Sequence, residues 1–151
     1  MKETIRSGIF ETNSSSVHTL VIKNQQREKN NIPIDEYGYM HIPLRYFGKD
    51  CEDYTEQIDK LSYILTCMSL NYIDKESMIN NYYFEHIQYY ICSYALCKGI
   101  IIEGFDNGGL DHQMANQCYY SDENPVIGCL SEDAVLDFVY CPNYVLHTDC
   151  D

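Results

Sequence analysis

Between Asp53 and Gly99 the apolar residues recur at helical spacing across almost the whole interval, and this periodicity limits the fold more than any other feature of the chain. Ile58, Leu61, Leu65 and Met68 fall three and four apart, which places one apolar stripe on a first helix. Asp53 can cap it, with Glu56 three residues on in capping-box spacing. Asp74 can cap a second helix, down whose face run Ile79, Tyr83, Ile87, Tyr90, Tyr94 and Cys97. Lys98 and Gly99 end it, a cation followed by a glycine. Two helices in succession, not alternating with strands, point to an α+β fold and away from a doubly wound one.

Strand signals flank this helical block. Val17 to Ile22 is rich in β-branched residues, with Val17, Thr19 and Val21 on one face and His18, Leu20 and Ile22 on the other. Tyr37 to Ile42 is a second candidate, ended by Pro43. Ile100-Ile101-Ile102, between glycines, is too short for a helix and reads as a buried strand. A turn-rich loop runs from Gly104 to Gly109, and an irregular segment continues to Gly128. Ser131 can cap a short last helix bearing Ala134, Val135, Phe138 and Val139, and Tyr144 to His147 reads as a final strand. The expected order is β-β-α-α-β-α-β. A small sheet would pack against two longer central helices and one short C-terminal helix. At 151 residues the chain is expected to form a single domain, 1–151.

Ten Lys and Arg stand against 23 Asp and Glu, a net charge of −13. Such a surface repels phosphate backbones, so direct nucleic-acid binding is disfavoured. It has the right sign for a basic protein surface, although acidity also simply keeps proteins soluble. The start of the chain, Met1-Lys2-Glu3-Thr4-Ile5-Arg6, shows no apolar signal region, and no apolar run is long enough to span a bilayer. A cytoplasmic protein without membrane contact is expected. The eight cysteines form no C-x-x-C pair, so reduced structural thiols are expected in place of zinc or disulfides. No cofactor or metal is expected. Tyrosine is abundant, 15 residues with no Trp, and tyrosines favour protein interfaces.

Three segments could carry chemistry. Phe10-Glu11-Thr12-Asn13-Ser14-Ser15-Ser16 precedes a strand bearing His18. Asn13, Ser14, Ser15 and Ser16 could cradle an anion with hydroxyls and backbone N–H groups, or form an ordinary Ser/Asn turn. Asp111-His112-Gln113 follows the flexible glycine loop and could orient, titrate and hydrogen-bond, or be a local turn. His147 to Asp151 ends the chain with carboxylates that could bind a metal or simply be solvated.

These segments resemble a bacteriophage and prophage protein family of Firmicutes that opens on F-E-T-N-S-S-S-x-H. The likeness spans nearly the whole chain. Glu36-Tyr37-Gly38-Tyr39 is similar to the family's E-F-G-W, with Tyr at both aromatic positions. Asp111-His112-Gln113 matches its D-H-Q-S, with Met114 for the Ser. Ser131 to Asp151 resembles its ending, with Cys150 where Asn is expected. The resemblance implies a phage or prophage origin. It also implies that Asn13, Ser14, Ser15, Ser16 and His18 form one binding site with Asp111, His112 and Gln113, and Glu36 is a further binding candidate. It implies no activity.

Two functions fit. One is an acidic protein that binds and inhibits a host nucleic-acid-handling protein, such as a CRISPR-type defence nuclease. Carboxylates such as Asp122, Glu123, Glu132 and Asp133 would face its Arg and Lys. The other is a small hydrolase or nucleotide-processing enzyme with a Ser/His/Asp site, whose catalytic candidates are His18, Asp111 and His112. A concave meeting of those side chains would favour chemistry. A Tyr-lined acidic face would favour binding.

Overall fold

The structure is a computed structural model. It describes residues 26–48, 52–110 and 131–148, and the backbone of strands 3–5 and 18–22. The fold is α+β, as expected. In chain order the described elements are β1 (Glu3–Ile5), β2 (His18–Ile22), β3 (Tyr39–Pro43), β4 (Tyr46–Phe47) and β5 (Glu52–Tyr54); then α1 (Gln57–Ser69), α2 (Lys75–Ile79) and α3 (Tyr82–Ala95); then β6 (Gly99–Glu103), β7 (Gly109–Leu110), α4 (Glu132–Tyr140) and β8 (Leu146–Thr148).

One antiparallel sheet has the order β1-β2-β8-β5. Its centre is β8, which pairs Thr148 with both His18 and Glu52, and Leu146 with both Leu20 and Tyr54. A second ladder is parallel: β3 lies beside β6, with Met40 opposite Ile100 and Ile42 opposite Ile102. A further short parallel pair sets β4 beside β7, with Tyr46 opposite Gly109. Parallel strands cannot be joined by a tight hairpin, and the three helices α1 to α3 supply the crossover between the two sides.

The core is where α1, α3, α4 and the parallel ladder meet. Helix α1 is buried at every position from Lys60 to Ser69. Tyr63, Leu65 and Met68 pack with Phe84, Ile87 and Ile91 of α3, Phe138 and Val139 of α4, and Met40 and Ile42 of β3. So central a helix also buries polar groups, and each finds a partner. Ser62 Oγ donates to Pro43 O at 2.6 Å, Ser69 Oγ donates to Thr66 O at 2.6 Å, and Gln57 Oε1 accepts from Asn31 N at 2.8 Å. Among the described residues no buried side-chain nitrogen or oxygen lacks a hydrogen bond.

Several elements depart from the sequence reading. Asp53 does not cap α1. It lies in β5 opposite His147, whose Nδ1 meets its carboxylate, and the helix starts from Glu56 with no side-chain cap. The second helix is broken in two. Asp74 does cap α2, accepting from Ser77 N at 2.8 Å, but Asn81 starts α3 anew by accepting from Tyr83 N at 2.9 Å. Asparagines compete for backbone donors in this way and interrupt helices. Helix α3 ends before Lys98 and Gly99: Leu96 turns left-handed at φ 60, and the N–H groups of Leu96 and Cys97 both donate to Cys92 O. Gly99 instead opens β6. Ser131 caps α4 as expected, accepting from Ala134 N at 3.1 Å. Ile100 and Ile102 are buried in β6. No described helix is long and apolar enough to cross a membrane.

Candidate functional site

Of the residues read from the sequence as a single site, Asn13 to Ser16 and Asp111 to Gln113 lie outside the described residues. His18 is placed by its backbone alone, opposite Thr148 in the sheet. Glu36 stands exposed at the tip of the Asp35–Gly38 turn. At that turn Gly38 adopts φ +93, where an L side chain would be strained, and a Cβ there would stand 3.1 Å from the Lys98 side chain, which favours glycine. Of the acidic residues expected to face a basic partner, Asp122 and Glu123 lie outside the described residues. Glu132 and Asp133 occupy the exposed first turn of α4, where Asp133 holds Arg27 at 2.9 Å.

Three arrangements that the sequence reading did not single out are on the structure. The first is on the outward face of the parallel ladder. Strand alternation turns Met40 and Ile42 inward and His41 outward. His41 Nε2 lies 2.7 Å from Asp35 Oδ2, and Nδ1 lies 3.4 Å from Glu103 Oε2. With a carboxylate at each ring nitrogen the imidazolium is favoured, and the hydrogen bond to Asp35 raises the His41 pKa. Asp35 also accepts from the N–H groups of Tyr37 and Tyr39 at 2.9 Å. Those backbone bonds, Tyr39's first, and then His41 hold its carboxyl below the usual range.

The second is Lys60, only 1 % exposed, whose Nζ donates to Cys141 O and Tyr144 O at 3.1 Å each. Burial pushes its pKa down to about 8. A cavity of about 220 Å³ adjoins it.

The third is the outer face of α3. Tyr82 and Tyr89 are seven residues apart, close to two helical turns, and so share one side of α3, and Leu96 follows at its C-terminal cap. They are 63 %, 67 % and 88 % exposed. The rings touch one another: Tyr82 and His86 lie 4.1 Å apart, His86 and Tyr90 6.0 Å, and Tyr89 and Tyr90 6.2 Å, centroid to centroid. The helix carries Glu85 and no Lys or Arg, so the face is aromatic and neutral to acidic. Leu96 adds an unusual feature. It is the one non-glycine residue with positive φ among the described residues, and such a conformation costs an L-residue about 1–2 kcal/mol. A leucine is thus held strained at the end of the stripe while nearly all of its side chain lies in water.

Periodicity hid this face. The sequence reading put Ile79, Tyr83, Ile87, Tyr90, Tyr94 and Cys97 on one inward stripe; Ile87 is buried and Ile79, Tyr90, Tyr94 and Cys97 pack partly buried against the core, but Tyr83 is exposed, and Phe84 and Ile91 complete the buried face. The available signal was the seven-residue recurrence of Tyr82 and Tyr89 outside the Ile/Phe stripe.

The four described cysteines, Cys67, Cys92, Cys97 and Cys141, form no disulfide. Among the described residues no group of three or more His, Cys, Asp or Glu could hold a metal ion. No protein family, curated protein or solved structure matches the chain.

Proposed function

We propose that this is a binding protein, and that the α3 stripe of Tyr82, Tyr89 and Leu96 docks on a basic surface of a nucleic-acid-handling protein. The observation that carries the reading is Leu96: backbone strain and exposure of a large apolar side chain at one position make sense where the side chain is buried by a partner. The chemistry of the face supports a cationic partner. Tyrosine rings attract Arg and Lys through their π-faces, and α3 brings no cation of its own to repel them. A chain with net charge −13 is steered toward such a surface at long range. The resemblance to a phage and prophage family suggests a host defence protein, such as a CRISPR-type nuclease, with inhibition by occupancy of its nucleic-acid channel.

The test is binding to a candidate nuclease with and without its nucleic acid, across a salt series. Nucleic acid should compete. Affinity should fall as salt rises, because charge steering is screened over a Debye length of about 8 Å at physiological ionic strength. Tyr89→Ala should weaken binding by roughly tenfold or more, since exposed aromatic anchors dominate such interfaces. Tight binding of the protein itself to DNA or RNA at physiological salt overturns the reading. Turnover of a nucleotide substrate transfers support to the Ser/His/Asp enzyme.

A further inference from the structure

Lys60 lies in the first turn of α1, and its side chain runs inward to the end of α4. Its nitrogen meets two acceptors, the carbonyls of Cys141 and Tyr144. An ammonium carries three N–H donors, a neutral amine two. Among the described residues no carboxylate forms an ion pair with Lys60, so burial of the ammonium is offset only by these two carbonyls and by Glu28 and Glu56 at longer range. The Phe138 ring, 6.0 Å from Nζ, closes one side. Lys60 also belongs to the lining of a cavity of about 220 Å³, walled by Glu28, Asn31, Thr55, Glu56, Tyr140 and Pro142. A buried amine without an ion-pair partner, lining a space of that size, is a nucleophile beside room for a reactant. Its lowered pKa, about 8, agrees with this.

We propose that the cavity beside Lys60 is a site for a small uncharged aldehyde or ketone, captured by the Lys60 amine as an imine. The nitrogen lone pair forms the C–N bond and the carbonyl π pair moves to oxygen, which takes one proton from nitrogen to give the carbinolamine. Loss of the hydroxyl with the second nitrogen proton releases water and leaves the C=N bond. Overall, amine plus carbonyl gives imine plus water, and no oxidant or reductant is consumed. The cavity volume sets the size of the ligand. The carboxylates of Glu28 and Glu56 in its wall set the charge, because they disfavour an anionic carbonyl compound.

The experiment uses the full folded chain with propionaldehyde and cyanoborohydride, which reduces the imine to a stable secondary amine, followed by peptide mass mapping. At pH 7 Lys60 should be alkylated roughly tenfold or more faster than the exposed Lys29, Lys75 and Lys98, and on a par with the α-amino group, which titrates near 8 in any chain. Its rate should reach half its maximum near pH 8. Alkylation confined to the exposed lysines and the α-amino group, with Lys60 modified only after unfolding in urea, overturns the proposal and leaves Lys60 as a cap on the end of α4.

Discussion

Replacing Leu96 with glycine separates backbone strain from side-chain contact. Left-handed backbone at φ 60 costs leucine about 1–2 kcal/mol, and glycine adopts it freely. Against this, glycine gains conformational freedom in the unfolded chain, which costs about 0.4–1 kcal/mol. The packing lost is small. The side chain is 88 % exposed, so only about an eighth of the roughly 1.5–3 kcal/mol of full leucine burial is at stake, or about 0.3 kcal/mol. The balance is a stabilisation of about 0.5 kcal/mol. Tyr89→Gly, on the same face but in ordinary helical backbone, should instead destabilise by about 1 kcal/mol. Urea unfolding of wild type and both variants, analysed by linear extrapolation, reads the opposite signs directly. Binding of the basic partner should fall for both variants, so that Leu96→Gly is a protein at least as stable that binds less well. Destabilisation of Leu96→Gly by 1 kcal/mol or more would refute the reasoning, because it would mean that Leu96 is held by packing and is not strained.

Three further outcomes follow from the other sites. Lys60→Met removes the donor from Cys141 O and Tyr144 O and should cost about 1–3 kcal/mol in chemical denaturation near neutral pH. Because the Lys60 pKa in the folded chain, about 8, lies below its unfolded value of about 10.5, the unfolded state binds more protons between those values. The wild type should therefore gain stability relative to Lys60→Met as pH rises through that window, and parallel pH profiles would contradict the shift. The His41 bridge works the other way: its pKa is raised on folding, so its contribution is complete below about 6.5 and lost as pH rises through the folded value. For Asp35, whose pKa is lowered, the contribution holds above about 3.8 and is lost as pH falls through the folded value. Melting temperature against pH should thus fall above neutrality more steeply for wild type than for His41→Asn. Ser131→Ala should cost about 1 kcal/mol by urea unfolding, through loss of the α4 cap, and Ser131→Asp should restore most of it.

The sequence by itself determined what depends on neighbours a few residues away. Apolar spacing placed α1 and α4, the Asp74 and Ser131 side chains capped the helices that follow them, and the isoleucine run made β6, because these preferences act within a turn or a strand. Tertiary structure decided whatever a distant partner settles. Asp53 left its expected cap because β8, more than ninety residues on, claims it for a ladder. Helix α3 had to stop at Leu96 so that Lys98 N could reach Gly38 O at 2.7 Å and Ile100 could lie beside Met40. The register of the parallel ladder thus overrode the local stop signal at Gly99. The same holds for the sites. His41 has a carboxylate six residues away in Asp35 and another in Glu103, which only strand pairing brings near. Lys60 reads in the sequence as one more helix-surface cation. Its acceptors lie 81 and 84 residues further along the chain, and its burial, its lowered pKa and its cavity exist only once α4 has packed across α1.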